Sequence, residues 1–244
     1  MRAAAGAPGR RAGRAFDGGR VSEKSLLDCV QVQTSRTPAA TVLWLHGLGA
    51  DGYDFVPAVR ELEAAGAPPA RWIFPHAPMM PVTINNGFVM RAWYDIRTAD
   101  LAHREDEAGV RASQAAVEAL LDEQARLGTP RGRIVLAGFS QGAAITLHTG
   151  LRQAEPLAGL VALSGYLPLA DRFATERHAA SAGVPILMAH GSEDPVVPVA
   201  RGRASRDLLV SLGHTVRWHE YPMPHSVCAE ELEAIARFLR ERLG

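Results

Sequence analysis

The stretch RIVLAGFSQGAAITLHTG, residues Arg133–Gly150, decides how the chain is read. Its first half is a short apolar run, as a strand buried on both faces requires. Its second half is compatible with a helix, and between them lies Gly138-Phe139-Ser140-Gln141-Gly142. A serine between glycines is either a residue in an ordinary turn, serving as a helix cap, or a nucleophile. The flanking pattern favours the second reading. A tight strand-to-helix turn lifts a serine to the carboxyl edge of a sheet, and glycines two residues away on each side remove β-carbons that would collide across it. The helix start also offers free N–H groups to a developing negative charge.

Working outward, similar apolar runs recur at Thr41–His46, Arg71–Pro75, Leu157–Ser164, Pro185–His190 and Thr215–Tyr221. Amphipathic segments separate them. Val110, Val117, Leu120, Leu121 and Leu127 share one helical face, and Leu208, Leu209 and Leu212 form another. In the last helix Leu232, Ile235, Ala236 and Leu239 repeat at helical spacing, with Glu230 and Glu231 at its start and Arg237, Arg240 and Arg242 at its end. Strands alternating with helices, without an internal repeat, predict one doubly wound, mostly parallel α/β domain with helices on both faces. The stretch from about Pro78 to Glu105 follows neither period and reads as a long loop, a kind of segment that tends to be functional.

Composition limits the functions open to such a domain. The 244 residues are 47% apolar with zero formal net charge, which argues against nucleic acid as a partner. No apolar run reaches the roughly 18–20 residues of a transmembrane helix, and the two cysteines, Cys29 and Cys228, lack disulfide or metal spacing. A soluble protein of a reducing, cytoplasmic compartment is expected. The nine histidines form no H-E-x-x-H or His/Cys cluster, so neither a metal nor another cofactor is called for. Residues 1–21 carry five arginines against the single acid Asp17. They have no apolar core of a secretory signal and no amphipathic period of a transit segment, so a disordered tail is expected before a single domain at 22–244.

A serine hydroxyl needs a base, and the base an orienting acid. In this type of sheet the chain order is Ser, then Asp or Glu, then His, each in a loop after a strand. Asp194 follows PILMAHGSED, and His225 follows the last strand in HEYPMPHSV. Glu193, Asp171 and Glu176 compete for the acid. His214 and His219 read as packing or surface residues, His46 and His190 as histidines bonded to nearby backbone, and Ser164 lacks a glycine elbow. The N–H of Gln141 supplies one oxyanion donor, and that of Leu48 in LHGLGADG (Leu45–Gly52) the other. That glycine cluster lacks the lysine and spacing of a phosphate loop.

Together LHGLGADGYDF, PHAPMMPVTINNGFVMRAWYDI, GFSQGAAITLH, ALSGYLPL, HGSEDPVVP and YPMPHSV resemble, in order and across about Val30 to Arg240, the phospholipase/carboxylesterase family of α/β-hydrolases, which includes acyl-protein thioesterases. The resemblance implies Ser140 as nucleophile, Asp194 as orienting acid and His225 as base, with Leu48 and Gln141 as oxyanion hole. It further implies Ile84, Tyr166 and Trp93 as substrate contacts, a structural role being the alternative for Trp93, and a homodimer. Two positions depart from the family pattern: Ala143 and Pro224 stand where glycine is common. A positive φ at Pro224 would misplace His225, because proline holds φ near −65°.

The expected activity is hydrolysis of carboxylic esters or thioesters through an acyl-serine, with carboxylesterase action on short to medium acyl chains as the main reading. Acyl-protein thioesterase or lysophospholipase action is the alternative, with an acylated protein or a lysophospholipid as substrate. A non-catalytic binding module of the same fold and acyl transfer to an acceptor other than water are the rivals.

Overall fold

The computed structural model describes residues 26–98 and 105–244; the Arg-rich segment at 1–21 lies outside them. A seven-stranded sheet has the order β1-β3-β2-β6-β7-β8-β9. Its strands are β1 (Cys29–Gln33), β2 (Thr41–Leu45), β3 (Arg71–Pro75), β6 (Ile134–Phe139), β7 (Gly159–Leu163), β8 (Ile186–Gly191) and β9 (Val216–Tyr221). Only β1 runs antiparallel to its neighbour.

Alternation along the central strands divides the core into two layers. Leu43 and Leu45 of β2, Ile134 and Leu136 of β6, and Ile186 and Met188 of β8 face one cluster. It is completed by α2 (Glu107–Arg126), α3 (Gln141–Gly150), α4 (Ala170–Glu176) and α5 (Val199–Ser211). Their neighbours Val42, Trp44, Val135, Ala137, Leu187 and Ala189 face the other, closed by α1 (Ala58–Ala64) and α6 (Ala229–Leu243). Burial on both sheet faces accounts for the apolar runs in the sequence.

The structure differs from the pattern reading at particular places. Strand β1, CVQVQ, is unmarked by an apolar run because it is an edge strand, with Val30 and Val32 packed inward between exposed glutamines. Strand β9 ends the other edge, and most of it is half-buried. Helix α2 closes at Arg126, so Leu127 is its C-cap and is 51% exposed instead of completing the apolar face. The stretch from Pro78 onward is not a plain loop: β4 (Met79–Val82) and β5 (Phe88–Arg91) form an antiparallel hairpin exposing Met79, Phe88 and Val89.

Glu231 breaks the expected pairing of acids with the helix dipole. Glu230 is exposed, but Glu231, one residue on, is fully buried in the first turn of α6. Burial pushes its carboxyl up to about 8. A raised folded value means that the protonated group favours folding. Its contribution is complete below about pH 4.5 and is lost as the pH rises towards about 8. Urea unfolding across this window is expected to show stability falling more steeply for the wild type than for Glu231→Gln. Parallel pH profiles would remove Glu231 as the cause.

Candidate active site

Ser140 occupies the turn between β6 and α3 with φ 56° and ψ −119°, a region that non-glycine residues rarely enter. The flanking glycines permit it through close approach. A β-carbon on Gly138 would lie 2.4 Å from Gly142 backbone atoms, and one on Gly142 would lie 2.3 Å from the Leu45 carbonyl oxygen. The Ser140 amide donates to the Leu163 carbonyl at 2.8 Å, tying the turn to the end of β7.

His225 Nε2 lies 2.9 Å from Ser140 Oγ, and His225 Nδ1 lies 2.6 Å from Asp194 Oδ2. Nδ1–H donates to the carboxylate, which leaves the Nε2 lone pair to accept the serine proton. Phe139 packs its ring against the imidazole at 4.7 Å between centroids. Asp194 has no exposed side-chain surface. Its Oδ1 accepts from the Val196 and Val197 amides, each at 2.8 Å, in an Asx-type turn after β8. His190 Nε2 donates to the Val197 carbonyl at 2.8 Å and stands 3.5 Å from Asp194 Oδ2. Burial holds His190 below the usual imidazole range, in keeping with a neutral ring beside the acid.

Pro224 is compatible with this geometry. No described residue from Tyr221 to Cys228 has a positive φ. The loop is anchored through its backbone, with Glu193 N–H donating to the Met223 carbonyl at 3.2 Å and Ser226 N–H to the Pro224 carbonyl at 2.8 Å. It passes so close to Gly191 that a β-carbon there would meet the Met223 oxygen at 2.3 Å.

Leu48, Gln141 and Ser140 line one cavity of about 380 Å³. Ile84 and Tyr166 also line it, as do Ile96, Tyr94 and Pro195–Pro198. Pattern reading missed the last of these walls, although an apolar DPVVP in a loop was its visible signal. The hydroxyls of Tyr94 and Tyr166 are 2.9 Å apart, and Arg201 lies over the Tyr166 ring. Burial pushes the Tyr166 phenol up to about 12 and raises that of Tyr94 as well.

Trp93 requires correction as a substrate contact. It is 2% exposed and absent from the cavity wall, and both of its N–H groups are engaged within the protein. The competing acids lie elsewhere: Glu193 and Asp171 are exposed, and Glu176 is paired with Arg111 and Arg152. His46 is bonded to Gly47 and Ala77, and His214 packs on Phe173. Among the described residues no three His, Cys, Asp or Glu side chains gather as a metal site, and no helix is long and apolar enough to cross a membrane.

A mostly parallel sheet with helices on both faces, carrying a strained serine at a strand–helix turn, defines an α/β-hydrolase. The model of the Phospholipase/Carboxylesterase family matches residues 27–243, and the chain belongs to that family, as a serine hydrolase of the esterase/thioesterase type. It is 44% identical over 213 residues to acyl-protein thioesterase 1 of Neurospora crassa, covering 84% of this chain and 87% of that one. The protein of the same name from Schizosaccharomyces pombe is 36% identical over 221 residues, covering 89% and 97%. Among solved structures, Zea mays acyl-protein thioesterase 2 superposes with a TM-score of 0.77 at 31% identity, covering 89% of this chain and 99% of that one. Arabidopsis thaliana SOBER1 gives a TM-score of 0.78 at 33% identity, covering 84% and 99%.

The backbone of Ser140 tests the elbow independently of chemistry. A residue held at positive φ stores on the order of 1–3 kcal/mol. Ser140→Gly and Ser140→Ala both lose the hydroxyl, but only glycine relaxes the turn. In urea unfolding the glycine variant is expected to be the more stable by about 1 kcal/mol. An alanine variant of equal or greater stability would show the turn to be unstrained.

Proposed function

We propose that the chain is an acyl-protein thioesterase whose residues 22–244 form one catalytic unit, with Ser140 as nucleophile, His225 as general base and Asp194 as the acid that orients it. The observation that carries this reading is the imidazole of His225 held between Asp194 at 2.6 Å and Ser140 at 2.9 Å. As Ser140 Oγ attacks the thioester carbonyl carbon, its proton passes to His225 Nε2. The oxyanion that forms is received by the Leu48 and Gln141 amides. Collapse breaks the carbon–sulfur bond, and the departing cysteine sulfur takes the proton from the imidazolium. Water, deprotonated by His225, then attacks the acyl-serine and releases the acid, and the proton returns to Ser140.

The names carried by the relatives favour thioester cleavage on acylated protein over carboxylesterase action on small esters, the main reading of the sequence. Chemistry is compatible with the change. A cysteine thiol with a pKa of about 8.5 leaves more readily than an alcohol, so the same machinery suffices. The two free cysteines support a reducing cytoplasmic setting.

The acyl chain occupies the cavity between Ile84, Ile96 and Val196. At about 30 Å³ for a water-sized group, a cavity of about 380 Å³ takes on the order of a dozen such groups. Each methylene buried contributes about 0.8 kcal/mol, close to fourfold in kcat/KM. For S-acylated peptides, kcat/KM is expected to climb by about that factor per methylene and to level off near a dozen carbons. Ser140→Ala should abolish turnover of every member. Wild-type rates in Ser140→Ala would sink the assignment of the nucleophile. Faster cleavage of oxygen esters than of the matching thioesters would return the carboxylesterase reading.

A further inference from the structure

The segment Arg91–Tyr94 is hydrogen-bonded both to the loop that carries Leu48 and to Gln141 at the start of α3. Towards Leu48, the Trp93 indole N–H donates to the His46 carbonyl at 2.9 Å, and the Gly49 amide donates to the Arg91 carbonyl at 2.9 Å. These bonds grip the chain on either side of Leu48. Towards the elbow, Gln141 Oε1 accepts from the Trp93 amide at 2.8 Å, and Gln141 Nε2 donates to the Tyr94 carbonyl at 2.7 Å. Ser113 Oγ donates to the remaining polar group of Trp93, its carbonyl.

We propose that the side chains of Trp93 and Gln141 are positioning residues that fix the separation and direction of the two oxyanion donors, the amides of Leu48 and Gln141. The proposal rests on the reading of Ser140 as nucleophile.

Physical need supports the assignment. The Leu48 loop contains Gly47 and Gly49, the latter at φ 77°, and belongs to no helix or strand. Its own backbone closes the turn around Leu48 with one long bond, Ala50 N–H to the Gly47 carbonyl at 3.3 Å, so ties from outside strengthen its hold on the Leu48 peptide. The tie is rigid, because Trp93 is 2% and Gln141 4% exposed. Gln141 links the two arms directly, its backbone serving one role and its side-chain amide the other. Oxyanion donors act on charge that develops in the transition state, so misaligned donors lower kcat and leave ground-state binding alone.

The test uses the full chain with p-nitrophenyl octanoate as substrate and an octyl trifluoromethyl ketone as inhibitor, whose serine adduct places an oxyanion in the hole. Trp93→Phe removes the indole donor and keeps an aromatic ring. Gln141→Met keeps the length and removes both side-chain hydrogen bonds. Each is expected to lower kcat roughly 10- to 100-fold, with KM changed by less than about threefold. Inhibitor affinity should fall in parallel with kcat/KM. The double variant should lose less than the product of the two single losses, since both act through one tie. Should Trp93→Phe fail to fold, Gln141→Met carries the test. Wild-type kcat and inhibitor affinity in a folded Gln141→Met variant would overturn the proposal, as would a rise in KM with kcat intact. Failure of the underlying reading looks different: Ser140→Ala would then hydrolyse the ester as fast as wild type.

Discussion

The contact between the start of α3 and the end of β2 is the constraint from which the site follows. Gly142 lies against the carbonyls of Leu45 and His46, where a β-carbon would sit within 2.6 Å of either oxygen. Only a residue without a side chain lets the helix begin so near the neighbouring strand. That closeness compresses the turn at Ser140 into positive φ and brings the Leu48 loop beside the helix N-terminus. Asp194 and His225 then arrive from the ends of β8 and β9, whose parallel order places their carboxyl ends on the same edge. The arrangement is a property of the sheet as much as of the three side chains.

Much of this was legible in the residues. The five inner strands β2, β3, β6, β7 and β8 announce themselves because burial on both faces demands continuous apolar runs. Ser140, Asp194 and His225 stand out because chain order and strand ends restrict the choice, and the structure brings them within hydrogen-bonding distance. What stayed hidden depends on tertiary context. Strand β1 alternates because one of its faces meets solvent. The β4–β5 hairpin carries Met79, Phe88 and Val89 outward, so no period separated it from a loop. Pro224 looked like an obstacle, yet the His225 loop is shaped by backbone bonds that need no positive φ.

Trp93, for which a structural role was the alternative to substrate contact, lines no part of the cavity. Its indole is turned to the backbone of His46, and its amide to Gln141. The long excursion after β3 thus contributes twice. Ile84 and Tyr94 give it a share of the cavity wall, and the residues between them and the sheet tie together the loops behind Ser140. Its irregular sequence reflects these separate demands.

Passage of the acyl group through Ser140 is open to one direct measurement. The enzyme is mixed with a medium-chain S-acylated peptide, quenched in acid during the first turnovers, digested, and mapped by mass spectrometry. One acyl group is expected, on the peptide containing Ser140. Turnover without any adduct, or an adduct on another residue such as Cys228, would contradict it.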